Sequence, residues 1–142
     1  MRFWDSSAIV PLIVREPSSA DARALLREDE RMLVWWATPV ECGSALRRLE
    51  RRQAIATPDL AVALQMLTSL GTSWSEILPA HPVRIHAQRL LAVHPLRAAD
   101  ALQLAAALVW RGQDAAGADF VCLDDRLRDA AAREQFSVLP RA

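Results

Sequence analysis

Four carboxylates stand out by their surroundings: Asp5, Glu41, Asp100 and Asp124. Asp5 lies between two apolar segments, Arg2-Phe3-Trp4 and Ala8-Ile9-Val10. Asp100 is flanked by Ala98, Ala99, Ala101 and Leu102 in a stretch apolar almost all round. A buried carboxylate needs a partner. All 17 cationic side chains are Arg and Lys is absent, so a divalent cation is a natural one. An oxygen-only donor set suits a hard ion, Mg²⁺ or Mn²⁺, which keeps several waters and bridges to phosphate oxygens. The chemistry that follows is metal-assisted phosphodiester hydrolysis, in which a water attacks phosphorus while the cation stabilises charge on the oxygens. Taken singly, each acid also has a structural reading, as a helix cap or as a complement to a helix dipole.

Other chemistries are excluded or unsupported. Without Lys there is no P-loop lysine, Schiff-base lysine or receiver-domain lysine. Cys42 and Cys122 have no CxxC or CxxH spacing and read as small buried side chains in a reducing compartment. His81, His86 and His94 show neither HExxH nor any paired-ligand spacing.

The acids must be positioned by elements, and the pattern supplies them. Met1–Trp4 reads as a first strand ending at Asp5, with Ser6-Ser7 offering a cap to a helix over Ala8–Val14. Glu16-Pro17 breaks that helix, and Ser18 or Ser19 opens a second running to about Glu30. Met32–Trp36 is a continuous apolar run, as expected of a strand buried on both faces. Thr38-Pro39 predicts an N-cap and a helix to about Ala54, and Thr57-Pro58 another to about Leu70. Ser75–Leu78 is a strand, Pro82–Val93 a helix, and Arg97–Arg111 an Ala- and Leu-rich helix stopped by Gly112. Ala118–Leu123 is the best later strand, Asp125–Glu134 a helix and Phe136–Leu139 a short last strand.

Short apolar strands alternating with helices predict an α/β fold with a parallel sheet covered on both faces. With 142 residues and no internal linker or repeat, the chain reads as a single domain over 1–142, long enough to bury roughly two thirds of its unfolded surface. In such a sheet the functional crevice lies beyond the carboxyl ends of the strands. Asp5 and Asp124 end strands, whereas Glu41 and Asp100 sit in first helical turns, so all four belong at one sheet edge. Asp119 starts its strand, toward the opposite edge. No apolar run approaches the ~18 residues a membrane span needs, and an acid at the fifth position is unlike a signal peptide. A cytoplasmic protein is the expectation. The 17 acids balance the 17 cations, so nucleic-acid binding would need a local patch.

These residues carry a resemblance to PIN-domain ribonucleases, and within them to the VapC-type toxins of type II toxin–antitoxin pairs. Phe3-Trp4-Asp5-Ser6-Ser7-Ala8 resembles the first motif, a strand ending in Asp followed by hydroxyl residues. Thr38-Pro39-Val40-Glu41 resembles the second. Leu96–Ala105, with Asp100 as its acid, is the most specific match, and Phe120–Leu127, with Asp124 at the acid position, resembles the fourth. The four motifs come in family order and cover nearly the whole chain.

The resemblance implies a three-layer α/β/α sandwich around a parallel sheet of about five strands. It implies an Mg²⁺- or Mn²⁺-dependent endoribonuclease whose cluster is Asp5, Glu41, Asp100 and Asp124, with Asp5, Asp100 and Asp124 on the metal. Ser7 matches a small hydroxyl residue near the metal. A cognate antitoxin and a homodimer are implied partners. The fourth motif usually carries Ser or Thr where this chain has Cys122, so a supporting hydroxyl is replaced. Asp125 adjoins Asp124 and reads as the better helix cap, leaving Asp124 for the site.

Arg97, one turn before Asp100, is placed either to bind a phosphate or to pair with a site carboxylate. Arg47, Arg48, Arg51 and Arg52 form a basic cluster that reads either as phosphate contacts for RNA or as a solvated helix end, where Arg favours the dipole and pairs with Glu50. Trp4, Trp35 and Trp36 fall in strands and read as core. Pro58–Leu70 is amphipathic and could serve a partner helix or a dimer. Two further readings stand beside the nuclease. One is a PIN-like module that binds RNA or protein without cutting, as Cys122 would allow. The other is a phosphotransfer domain of the haloacid-dehalogenase type, but that chemistry wants a second Asp where Ser7 stands and a downstream Lys.

Overall fold

The computed structural model of the chain describes residues 1–113 and 117–141. Five strands form one sheet: β1 (Arg2–Trp4), β2 (Met32–Trp35), β3 (Ser75–Ile77), β4 (Asp119–Val121) and β5 (Ser137–Leu139). Their order is β3-β2-β1-β4-β5, and every pairing is parallel. Seven helices among the described residues cover it: α1 (Ser6–Ile13), α2 (Ser19–Glu28), α3 (Thr38–Arg51), α4 (Thr57–Gly71), α5 (His81–Val93), α6 (Ala98–Arg111) and α7 (Asp125–Arg133).

The period-2 alternation of the strands divides the core in two. Phe3, Leu33, Trp35 and Phe120 face α5, α6 and α7, with the Phe3 and Phe120 rings stacked at 5.4 Å. Their sequence neighbours Trp4, Met32, Val34 and Val121 face α1, α3 and α4. Residues of β2 therefore bury on both sides, which is why Met32–Trp35 is continuously apolar. The result is the three-layer α/β/α architecture, a PIN-like fold, that the sequence predicts.

Helix α6 is buried over most of its surface. Ala101 and Gln103 through Leu108 are all covered, as an all-round apolar helix requires. Gly112 closes it with φ +66°, a conformation open to glycine.

Several local expectations are corrected. Ser6 and Ser7 do not cap α1; Asp5 does, accepting the Ser7 N–H at 3.0 Å. Thr38 is not an N-cap: Ala37 holds that position, and Thr38 lies inside the helix, fully buried. Proline tolerates either of the first helical positions, so the boundary shifts by one. Asp125 is not the cap of α7; Asp124 is, accepting the Leu127 N–H at 2.9 Å. Trp36 is not core. The strand ends at Trp35, and although the Trp36 N–H still bonds to Ile77 O at 3.0 Å, the Trp36 side chain is 52% exposed.

Candidate active site

The sheet order fixes where a site can form. The chain winds from β1 outward through β2 to β3, then returns to the other side of β1 for β4 and β5. Adjacent connections from β1 and β4 thus leave in opposite directions, and a crevice opens beyond their carboxyl ends. Asp5 leaves β1 there, its N–H bonded to Val121 O at 2.9 Å, and Asp124 follows β4. Glu41 comes from the first turn of α3 and Asp100 from the first turn of α6. All four acids line one cavity of about 790 Å³, together with Ser6, Ser7, Arg48, Arg97 and Arg126. Asp125 is not among the lining residues. Asp119 lies at the other edge, paired with Arg2 at 3.0 Å.

The acids differ in environment. Asp5 is buried, and its Oδ2 accepts the Ser7 hydroxyl at 2.5 Å. That same hydroxyl accepts the Leu123 N–H at 2.9 Å, so Ser7 ties the end of β4 to the end of β1. The Cys122 thiol lies 3.6 Å from both Ser7 Oγ and Asp5 Oδ2. Burial pushes the Asp5 carboxyl above its ordinary range, and the charge of Asp100 adds to this against the Ser7 hydrogen bonds. Glu41 is half-buried, and its carboxyl is pushed up to about 7, chiefly by desolvation and then by Asp5. It accepts Gln103 Nε2 at 2.9 Å and the Ser6 hydroxyl at 3.3 Å. Asp100 is raised by burial and by Asp124, with Arg97 and Arg126 opposing. Asp124 is exposed, and one of its oxygens is committed to the α7 cap.

The acids therefore repel one another across a shared cavity. Among the described residues, no three acidic, His or Cys side chains stand close enough to form a closed coordination sphere. A donor set of carboxylate oxygens facing an open, solvated cavity fits a hydrated hard cation, which takes one or two carboxylates and completes its shell with water and phosphate. It does not fit zinc or a soft ion, which wants His or Cys. Both cysteines are free and buried, and the Cys42 thiol is pushed up to about 12 by burial.

Every residue singled out from the sequence for the site lines this cavity: Asp5, Ser7, Glu41, Arg97, Asp100 and Asp124. Arg97 precedes α6 as its N-cap residue and is exposed. Of its two readings, pairing with a site carboxylate is absent: Arg97 enters no ion pair within 4.0 Å among the described residues. Sequence reasoning missed Ser6, Glu16 and Gln103. Glu16 lies just past α1, where Pro17 drew the attention. Gln103 carried a signal, being the one polar side chain in an apolar run three residues beyond Asp100.

No family model and no curated protein matches the chain. Solved structures do match in fold. PAE2754 from Pyrobaculum aerophilum is 20% identical over 97% of this chain and 88% of its own, with a TM-score of 0.68. VapC20 of Mycobacterium tuberculosis, described as a toxin cleaving the sarcin-ricin loop, is 16% identical over 92% of this chain and 95% of its own, with a TM-score of 0.66. FitAcB from Neisseria gonorrhoeae is 16% identical over 97% and 96%, with a TM-score of 0.67. At these identities the likeness is one of fold.

Proposed function

We propose that this chain is an Mg²⁺- or Mn²⁺-dependent endoribonuclease, hydrolysing RNA phosphodiester bonds as the toxin of a toxin–antitoxin pair. One observation carries the reading. Four carboxylates from four separate elements converge on one open cavity at the switch point of a parallel sheet. Such a concentration of like charge is relieved by a cation in reach. Asp5, Asp100 and Asp124 would hold the ion. When bound, it would lower the pKa of water and stabilise charge on the phosphoryl oxygens.

The chain's own residues do the rest. Glu41, with a carboxyl pushed up to about 7, is suited to take a proton from the attacking water at neutral pH. As the water oxygen bonds to phosphorus, one ester P–O bond breaks and its oxygen leaves with the electron pair. Ser7 holds Asp5 in place through its hydroxyl and stands beside the substrate's path. Arg97 and Arg126, on the same cavity, would bind flanking phosphates.

The fold shared with VapC20, a toxin that cleaves the sarcin-ricin loop, supports the RNA substrate and the toxin's role. A toxin requires a cognate antitoxin, and we expect a homodimer in the cytoplasm. No helix among the described residues is long and apolar enough to cross a membrane. The alternative is a PIN-like module that binds RNA or protein and cuts weakly or not at all. Cys122 is the observation that favours it, since a thiol bonds Asp5 more weakly than a hydroxyl would.

The test is cleavage of RNA by the purified chain with Mg²⁺ or Mn²⁺. Chelator should stop it, and Asp5→Asn and Asp100→Asn should each abolish it while circular dichroism stays native. Cleavage by both variants at the wild-type rate would overturn the assignment.

A further inference from the structure

Gln103 is a fully buried amide in a helix that is otherwise apolar there. Burying such a group is costly unless its hydrogen bonds are made. Its Nε2 makes two, to Thr38 Oγ1 at 3.1 Å and to Glu41 Oε2 at 2.9 Å. Its Oε1 makes none. The opposite amide orientation would set a carbonyl against the Glu41 carboxylate, so the arrangement follows from charge. For stability alone, an apolar pair at positions 103 and 38 would fill the same space without an orphaned carbonyl.

What the amide does accomplish is geometric. Thr38 and Glu41 share the first turn of α3, on one face of the sheet, whereas α6 packs on the other. Gln103 therefore reaches between two helical layers at the sheet's carboxyl edge. It is three residues beyond Asp100, on the same helical face. The face that delivers Asp100 to the cavity also clamps the acid opposite it.

We propose that Gln103 is a positioning residue that fixes the Glu41 carboxylate relative to Asp100 by tying the first turn of α3 to α6. The inference rests on the nuclease reading and names a residue that reading does not use. Outer groups that orient site carboxylates are worth about 10–100-fold in metal affinity or activity.

A double-mutant cycle tests it, using Gln103→Leu, Glu41→Ala and their combination. The readouts are thermal stability, affinity for Mn²⁺ alone by titration calorimetry, and kcat and KM on RNA. Gln103→Leu should lower the Tm by a few degrees, since the buried Thr38 hydroxyl loses its donor. It should also weaken Mn²⁺ binding about tenfold, because the tie it breaks sets Asp100 of α6 against α3, and lower kcat with little change in KM. In the Glu41→Ala background it should cost nothing more in affinity or kcat. Gln103→Met, unbranched and close in volume, replaces the Leu variant if that one fails to fold. A wild-type kcat and Mn²⁺ affinity in the variant overturns the proposal, as does an equal loss in both backgrounds. Failure of the nuclease reading looks different. A wild-type chain that binds Mn²⁺ but cuts no RNA leaves the cycle to be decided on affinity, by the same two outcomes. A wild-type chain that binds no Mn²⁺ overturns both.

Discussion

The Ser7 hydroxyl sits 2.5 Å from Asp5 Oδ2 and donates to it, while its oxygen takes the Leu123 N–H. One small side chain thus orients the most buried acid of the cavity and fastens two neighbouring strand ends. Ser7→Ala removes both bonds and leaves the Leu123 N–H and one carboxylate oxygen short of partners. An unpaired buried donor costs about 1–3 kcal/mol, so the variant should unfold at a lower temperature. Because Asp5 is then held only by the residue-7 N–H and the Cys122 thiol, cleavage should fall by more than the stability loss explains. Chemical denaturation and kcat on the folded fraction separate the two effects.

Asp100 is raised by burial and by the charge of Asp124, so as an anion it destabilises the metal-free chain. Asp100→Asn should raise the metal-free Tm at neutral pH while abolishing cleavage. Added Mn²⁺ should raise the wild-type Tm and barely move that of the variant, because only a bound ion contributes linkage stability. Scanning calorimetry with and without Mn²⁺ decides this, and a variant that gains as much Tm as wild type sinks the role of Asp100.

The clustering of these acids was legible in the sequence because each follows from topology. Parallel strands force carboxyl ends to one edge, and an acid at a strand end or in a first turn goes with them. What could not be read was the side-chain partnering inside the cavity. Asp124 and Asp125 are adjacent, and only the turn of the backbone decides which caps α7; Asp124 takes that bond and still lines the cavity. Thr38 carries a cap residue's identity, yet it lies inside the helix and meets Gln103 from another layer. Trp36 ends an apolar run and its N–H still bonds to Ile77 O, yet its side chain is exposed. The first of these turns on one local backbone angle, and the other two on how segments distant in the chain pack, to which local pattern is blind.

Glu41 gives a pH signature. Its carboxyl is raised from an ordinary 4.5 to about 7 in the folded chain. Between those values the folded state holds more protons than the unfolded one, so stability declines as pH rises through that window and levels above it. Below about pH 4.5 both states are protonated and the penalty vanishes. The metal-free Tm should show this fall, alongside falls from Asp5 and Asp100, and Glu41→Gln should flatten part of it. The stabilisation conferred by Mn²⁺ should grow over the same window, as the ion displaces protons.

Cys122 is buried against Asp5 and Ser7, with its thiol pushed well above the ordinary range by burial. A protonated, fully covered thiol is a poor nucleophile. The folded chain should therefore resist iodoacetamide at both Cys122 and Cys42, and label only when denatured. Cys122→Ser should retain or raise activity by giving Asp5 a stronger donor, whereas Cys122→Ala should lower it. Mass spectrometry of the labelled chain and kcat of the two variants check the argument.

Arg97 offers the cleanest separation of binding from chemistry. It lies beside Asp100 on the cavity wall, is exposed, and holds no ion pair among the described residues. A guanidinium so placed can meet a phosphate without first breaking another contact, and each such contact releases counterions from the nucleic acid. Arg97→Ala should therefore raise KM several-fold and reduce the slope of log affinity against log salt by about 1. Its effect on kcat should be small, since a flanking phosphate is bound alike in the ground and transition states. The Tm should hold, because the α6 cap geometry here uses the backbone and no side-chain bond. Fluorescence anisotropy with a labelled RNA in chelator, at three or more salt concentrations, isolates binding from cleavage. An unchanged salt slope would remove Arg97 from the RNA path and leave Arg126 and Arg48 as the cavity's remaining cationic contacts.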